Sequence, residues 1–426
     1  MAHESTLRFG AHTDEVTSLL RIVNMVRTGE ASTRPEIGRL TGLGRGVVAQ
    51  RVDSAITMGF LEDGEFAPSS GGRAPRTLRF RADAGRIVIC ALGGLHFHIG
   101  VADLDGVLLE QSHEDWDIAR GPADTLDRVL HVVDDLLRRT GDAPVWAVAV
   151  GIPGPVDFAT GKPVAPPIMP GWNGFDIRGR FEDHLDAPTW VDNDVNLLAL
   201  GERARGRGHA DVIYCKVGTG IGTGLLSSGH LHRGVNGAAG DIGHVRVRDS
   251  DAACRCGKIG CLEAVAGGWA MVRDAERRLA EGAESRLASI EPGTLTPETL
   301  ARAAEDGDAL AISLIQSSAR VMGESIATLV NVFNPGTVVI GGAVASAGEI
   351  YLAEIRQRVY ELSIPLATRD LTIVQSLDDP AEPLRGGAEL AREQLFEATF
   401  PRWFAEGRPT IAAVRSGDDA FFPFST

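Results

Sequence analysis

His244 is followed by nine residues and then by Cys254-Arg255-Cys256-Gly257-Lys258-Ile259-Gly260-Cys261-Leu262-Glu263. Three of the chain's five cysteines crowd into this run, too few overall for a disulfide scaffold in 426 residues. In a cytosolic chain such crowding points to a metal rather than to disulfides. One imidazole and three thiolates complete a tetrahedral Zn2+ shell with no open position, which makes the site structural rather than hydrolytic. Gly257 and Gly260 allow the tight turns that would aim the thiols inward. Two other readings use the same residues: three buried free cysteines beside an unrelated histidine, and a small DNA-binding finger. The finger conflicts with the cluster's place inside an α/β region and with the lack of a basic helix around it.

The elements that must position this cluster are strands alternating with helices. Arg86–Leu92 reads as a buried strand reaching Gly93-Gly94, and His98–Ala102 as a second, turned at Asp105-Gly106 into Val107-Leu108-Leu109. A helix covers Thr125–Arg139, and the strand Val145–Val150 ends in Gly151-Ile152-Pro153-Gly154-Pro155. Val212–Val217 runs into Gly218-Thr219-Gly220-Ile221-Gly222-Thr223-Gly224, and Thr337–Ile340 into Gly341-Gly342. Repeated strand-to-glycine junctions predict an α/β body whose ligand sits at strand ends.

The first 82 residues follow a different pattern. Val16, Leu19, Leu20, Val23 and Val26 recur at helical spacing and Gly29 stops that helix. Thr33-Arg34-Pro35-Glu36 has the form of a capping box with proline in the first turn, opening a helix that buries Ile37 and Leu40. After the turn Thr41-Gly42-Leu43-Gly44, a helix from about Arg45 to Met58 buries Val48, Val52 and Ile56. Helix, glycine turn and second helix is the helix-turn-helix pattern, and two short strands between Phe60 and Phe80 would make a wing. Arg45, Gln50 and Arg51 lie off the buried face, where they could reach base edges or phosphates. Arg73 and Arg76 project from Ser69-Ser70-Gly71-Gly72-Arg73-Ala74-Pro75-Arg76, an extended arm suited to the minor groove. A protein-docking module and a merely solvated arginine loop are the competing readings.

Composition sets the frame. At 44% hydrophobic and 23% charged residues a collapsed core is available. The net charge of −15 argues against a chain that coats nucleic acid. Residues 1–82, however, hold eleven arginines against nine acids, so the acidity lies in the body. A basic module on an acidic body is what one DNA-facing end requires. No window approaches ~18 consecutive apolar residues and the N-terminus has no apolar signal core, which predicts a cytoplasmic protein with no membrane span.

The run Ala238-Ala239-Gly240-Asp241-Ile242-Gly243-His244, followed by Cys-x-Cys-x4-Cys-x-Glu, closely resembles the signature of the ROK family (repressor, open reading frame, kinase). Gly151-Ile152-Pro153-Gly154, Pro170-Gly171-Trp172, Asn193-Asp194-x-Asn196 and Gly218-Thr219-Gly220-Ile221-Gly222 match it too, so the resemblance spans residues 85–395 or so. It implies a two-lobed α/β body with the actin/hexokinase-like fold and a sugar in the cleft between lobes. Some members are sugar kinases; others carry an N-terminal winged helix and are sugar-responsive transcription factors. Carried over by position, it implies that Asn193, Asp194, Asp241, His244 and Glu263 line the sugar site. Carboxylates and an amide bind vicinal hydroxyls directionally, and a zinc-bound imidazole can offer its second nitrogen to the sugar. The family's kinases usually have Glu where Asp241 stands, a side chain one carbon longer.

Asp194 occupies the general-base position of the kinases. Their first phosphate loop reads Asp-x-Gly-Gly-Thr, the Asp helping to organise the metal ion and the Thr touching phosphate. Here the same place reads Ala91-Leu92-Gly93-Gly94-Leu95. Phosphoryl transfer depends on positioning and charge neutralisation, so both losses argue against kinase activity. The sequence thus predicts a winged helix-turn-helix at 1–82 and a small lobe at 83–195, to which a helix near 384–398 returns. A zinc-bearing large lobe follows at 196–383, and residues 399–426 form a tail without assigned role. The function expected is a sugar-responsive regulator, most often a repressor, that binds a double-stranded operator and a sugar as a homodimer or higher oligomer. The alternatives are an ATP-dependent, glucokinase-like sugar kinase with an accessory DNA-binding domain, and a metal-dependent scaffold.

Overall fold

The structure is a computed structural model that describes residues 4–66, 75–206, 209–377 and 379–416, with side chains from residue 15 onward. Three helices open the chain, α1 (Glu4–Arg27), α2 (Arg34–Thr41) and α3 (Arg45–Thr57), followed by the antiparallel hairpin β1 (Leu61–Phe66) and β2 (Arg76–Phe80). Leu19, Ile22 and Val23 of α1, Ile37 of α2 and Val48, Val52 and Ala55 of α3 are buried together. Ala55, not Ile56, completes the inner face of α3; Ile56 is only half-buried. The capping box forms at α2. The Glu36 carboxylate accepts from the backbone N–H groups of Ser32 at 2.9 Å and Thr33 at 3.1 Å. The Ser32 N–H in particular holds that carboxyl below the usual range.

The body contains two five-stranded sheets with one layout. In the small lobe, β3 (Arg86–Leu92), β4 (His96–Ala102) and β5 (Leu108–Asp115) form an antiparallel meander. Parallel β6 (Val145–Ile152) extends that sheet; a short ribbon of β7 (Val156–Asp157) and β8 (Lys162–Pro163) follows, and β9 (Thr189–Asn193) completes the sheet. The resulting order is β5-β4-β3-β6-β9. In the large lobe, β10 (Val212–Val217), β11 (Ile221–Ser227), β12 (His230–Leu231), β13 (Thr337–Gly341) and β14 (Thr372–Gln375) repeat it as β12-β11-β10-β13-β14. The strands expected at 98–102 and 107–109 are longer, and the helix expected from Thr125 starts a turn earlier at Pro122, which supplies its first residue without needing an N–H.

Strand residues alternate between cores. Val88, Cys90 and Leu92 face α4 (Pro122–Arg139) and α5 (Ile177–Leu185), while Ile87, Ile89 and Ala91 face a central core. On β10, Ile213, Cys215 and Val217 face the large-lobe helices α7 (Leu262–Ala266), α8 (Gly268–Ala280), α9 (Pro297–Glu305), α10 (Ala309–Phe333), α11 (Glu349–Leu362) and α12 (Pro365–Thr368). Val212 and Tyr214 face the central core. Burial on both sides is why these strands read as continuous apolar runs. Between the sheets lie α6 (Asp194–Ala204) and α13 (Glu382–Glu393). A Cβ at Gly386 would collide with the Leu197 carbonyl oxygen, and one at Gly387 with Ile89. Two interior helix glycines, each costing about 0.5–1 kcal/mol of helix stability, let α13 wedge between α6 and β3.

The central core continues into the N-terminal module. After α13 the chain makes a π turn at Gln394–Ala398 and then the short helices α14 (Phe400–Trp403) and α15 (Ile411–Arg415). Phe400 and Trp403 are fully buried and contact Phe60 with ring centroids at 5.3 and 5.8 Å; Trp146 meets Trp403 at 5.7 Å. Phe80 meets Phe396 edge-on at 5.5 Å, and Asn24 Nδ2 donates to the Phe396 carbonyl at 3.3 Å. The stretch from Thr399 is therefore, as far as Ser416, a packed part of the fold and not a tail. Four- and five-residue helices have no periodicity to read. No helix among the described residues is long and apolar enough to cross a membrane.

Trp403→Ala removes a fully buried indole from this junction and should cost about 3–5 kcal/mol. Urea denaturation followed by circular dichroism is expected to show the loss as a lower midpoint; an unchanged midpoint would contradict the packing described.

Candidate functional site

Among the described residues, one group of side chains has the arrangement of a metal centre. His244, Cys254, Cys256 and Cys261 bring one donor atom each to within 4.8 Å of one another. Cys256 Sγ and Cys261 Sγ are 3.7 Å apart, and Cys254 Sγ lies 3.8 Å from His244 Nδ1. A regular tetrahedron with bonds of about 2.3 Å has edges of about 3.8 Å, so the donors fit a four-coordinate thiolate-rich ion. Gly257 and Gly260, at φ +86° and +77°, make the turns that bring the thiols together. The Lys258 carbonyl accepts from the Cys254 N–H at 2.9 Å. His244 turns Nδ1 to this cluster, which leaves Nε2 for another partner.

The polar residues expected at the sugar site are organised by β11. Gly240, at φ +93°, lies so close to the Thr223 carbonyl oxygen that a Cβ would collide with it, and a Cβ on Gly243 would strike that of Ile221. These contacts lay the Ala238–His244 segment along β11 and explain its glycine spacing. Glu263, buried in the first turn of α7, accepts from the Ile221 N–H at 3.1 Å and from Trp269 Nε1 at 3.4 Å. On α6, Val195 packs 3.5 Å from the position a Cβ would take on Gly222. The N-terminus of α6, the Asp241–His244 turn and Glu263 thus all attach to Ile221–Gly224.

Within that frame the predicted ligands differ in what they have left to offer. Asn193 caps α6, accepting from the Val195 N–H at 2.9 Å, and donates to the Gly154 carbonyl at 2.7 Å. One amide N–H remains. Asp194 Oδ2 receives Lys216 Nζ at 2.5 Å. Asp241 is exposed. Asp192, which sequence reasoning missed, is buried and accepts from the Asn193 N–H at 2.8 Å, Asn196 Nδ2 at 2.6 Å and Arg233 Nε at 2.8 Å. Arg233 also lies 3.9 Å over the Phe158 ring, so Asp192 ties the loop leading to Asp241 to the small lobe. Lys216 was missed too; with only three lysines in the chain, one placed two residues before Gly218 was a usable signal. On the small-lobe hairpin, Ala91 is buried and Leu95 is 61% exposed.

The N-terminal module presents a second surface. Arg45 and Gln50 are exposed on α3 with Val47, an apolar member of that face the sequence reading did not select. Arg51 is a correction: its guanidinium pairs with Glu15 and donates to Ser18 Oγ at 3.1 Å, so it braces α3 against α1. Its position, three residues after Val48 and four before Ala55, places it on the margin of the buried face. Arg76, exposed at the start of β2, lies 5.3 Å over the Phe66 ring and 3.9 Å from Asp63. Arg73 lies outside the described residues.

Comparison with known proteins places the chain. The model of the ROK family matches residues 88–394. The xylose repressor of Caldicellulosiruptor bescii is 28% identical, over 92% of this chain and 100% of that protein. Residues after 82 could not reach that share alone. A glucokinase of Halalkalibacterium halodurans is 37% identical over 51% of this chain and 67% of its own length. The crystal structure of a ROK family transcriptional regulator, a homologue of the E. coli MLC protein, superposes with a TM-score of 0.78 at 23% identity. It covers 95% of this chain and 100% of that one.

Asp192→Ala should strand the half-buried Arg233 guanidinium and lower stability by about 3–5 kcal/mol, the cost of breaking a buried ion pair from one side. Denaturant titration measures it; a loss below about 1 kcal/mol, the range of exposed pairs, would mean that the pair is not structural.

Proposed function

The chain belongs to the ROK family, and from that premise we propose that it is a sugar-responsive DNA-binding transcriptional regulator, in the repressor mode, whose body senses a sugar without phosphorylating it. The observation that carries this reading is the shared core. A three-helix module with a hairpin is packed through Phe60, Phe400 and Trp403 onto a body whose first hairpin has Ala91 and Leu95 where kinases of the family have Asp and Thr. A module docked this way can feel a movement of the body, and the body has lost two polar groups that phosphoryl transfer uses. The repressor relative, which aligns over 92% of this chain, supports the same reading. The glucokinase relative keeps the kinase alternative in view.

In this reading Asn193, Asp194, Asp241, His244 and Glu263 hold the sugar's hydroxyls. His244, Cys254, Cys256 and Cys261 hold a structural Zn2+, which when bound fixes the His244 ring and braces the segment carrying Glu263. Arg45, Gln50 and Val47 face the major groove of an operator; Arg76, with Arg73, serves the wing. Val47 suits a thymine methyl and Gln50 an adenine edge. A homodimer matches a palindromic operator in the cytoplasm. Ligand closure would move α6, α13 would follow through its glycine wedge, and the π turn would pass the shift to Phe396, Phe400 and the module. The sugar acts only by contacting the two arrangements unequally.

Operator titration with and without a responsive sugar tests the function. A coupling of ~1–3 kcal/mol changes operator affinity about 5- to 150-fold. Glu263→Ala should abolish that change while leaving sugar-free DNA affinity nearly intact, and ATP with magnesium should phosphorylate no sugar of a broad panel. Robust phosphorylation would establish the kinase reading instead, and a mutant that still responds would remove the cleft as sensor.

Elemental analysis of purified protein should give about one zinc per chain, the stoichiometry of a closed four-ligand site. Cys256→Ser should lower both zinc content and thermal stability; full zinc retention would refute the ligand set.

A further inference from the structure

Three imidazoles with no part in sugar or DNA binding gather on one face of the small-lobe sheet. His96 and His98 stand two residues apart on β4, so their side chains leave the same face. β5 runs antiparallel beside it, with His113 directly opposite His98 and Asp115 directly opposite His96. On β3 the neighbour of His98 is Ala91, which brings only a methyl to that flank. Ring centroids are 5.2 Å apart for His96 and His98, 4.4 Å for His98 and His113, and 5.6 Å for His96 and His113. Each ring therefore neighbours the other two. Hiding apolar surface does not account for the trio, because His96 and His113 are exposed and only His98 is half-buried. Nor does hydrogen bonding, since neither the His96 nor the His98 ring makes a hydrogen bond to a described residue.

The separations have a chemical meaning. An imidazole nitrogen binds a transition metal at about 2.0–2.1 Å, and the ring centre lies about 1.1 Å further out, so three rings on one tetrahedral ion have centres about 5.2 Å apart. The three observed separations fall around that figure. Only the thiolate cluster has its donor atoms already converged. Here convergence requires turning the rings about Cβ–Cγ, a broad torsion for histidine, and the exposure of His96 and His113 leaves room for it. Asp115 Oδ1, 3.6 Å from His113 Nε2, is placed to orient that ring or to add an oxygen donor. Three imidazoles with one carboxylate suit a borderline ion such as Zn2+ or Ni2+ better than Mg2+ or Ca2+, which prefer oxygen donors throughout. An ion held this way would tie β5, the edge strand of the sheet, to β4.

We propose that His96, His98 and His113 form a second, open metal site on the small lobe, which takes a borderline divalent cation with Asp115 as its supporting carboxylate. The site is independent of the sugar and of the thiolate cluster. Equilibrium dialysis of the full-length, untagged protein against Ni2+, followed by elemental analysis, tests it. One nickel per chain should bind without loss of zinc from the thiolate cluster. His96→Ala and His113→Ala change exposed positions, where truncation should leave folding intact. Each should raise the nickel dissociation constant at least about tenfold, the lower end of what losing even a supporting group costs a metal site. Zinc content should stay the same in both. His131→Ala removes an exposed histidine beside Asp135 on α4 and should change nothing, which separates the trio from an ordinary surface histidine. No nickel retained, nickel that enters only by displacing zinc, or retention that survives His96→Ala combined with His113→Ala would overturn the site. An equal loss in His131→Ala would overturn it too.

Discussion

Two helices, α6 and α13, fill the space between the sheets, and their contact depends on the missing side chains of Gly386 and Gly387. Helices normally pack with axes about 8–10 Å apart; here the backbone of one approaches the Leu197 carbonyl of the other too closely for any Cβ. That contact has consequences at both ends. The head of α6 carries Asn193 and Asp194, the latter paired with Lys216 of β10, and the foot of α13 leads through the π turn to Phe396. Arg203 on α6 pairs with Glu389 at 3.1 Å and Glu393 at 2.5 Å on α13, so the two helices are held in register as well as in contact. A rigid pair of this kind transmits displacement, because close-packed interiors rearrange between discrete packings rather than deforming smoothly.

The two sheets make a second point about how one architecture supports different chemistry. Both begin with a strand, a tight glycine hairpin and an antiparallel return. In the large lobe that hairpin, Gly218–Gly220, stays polar and leads directly to the Ile221 N–H that seats Glu263. In the small lobe the equivalent turn has become apolar at Ala91 and Leu95, with histidines on the returning strand. The backbone layout is the same on both sides. What differs is the set of side chains placed at the ends of equivalent strands, which is where function is decided in folds of this kind.

Local signals were legible and long-range ones were not. The Thr33–Glu36 cap, the apolar strands and the cysteine spacing each depend on residues close together in sequence, where propensity and periodicity apply. The Lys216–Asp194 and Asp192–Arg233 pairs join residues 22 and 41 positions apart. The aromatic junction joins residue 60 to residues 400 and 403. No periodicity encodes such pairings; the fold creates them. Arg51 was misplaced for a related reason. A helical wheel locates the apolar stripe but cannot tell which polar neighbour at its margin meets another helix.

The aromatic junction also orders events during synthesis. The seat for the N-terminal module is made partly of Phe396, Phe400, Trp403 and Val414, which leave the ribosome after nearly everything else described. Three helices and a hairpin can form early from local contacts, but until those late residues arrive Phe60 and Phe80 have only part of their apolar surroundings. The module would wait on the nascent chain with part of its apolar surface uncovered, which exposes it to aggregation and to helper proteins that cover such surface. A chain interrupted between residues 80 and 396 would carry the three helices and the hairpin and lack the late aromatic residues that seat them on the body.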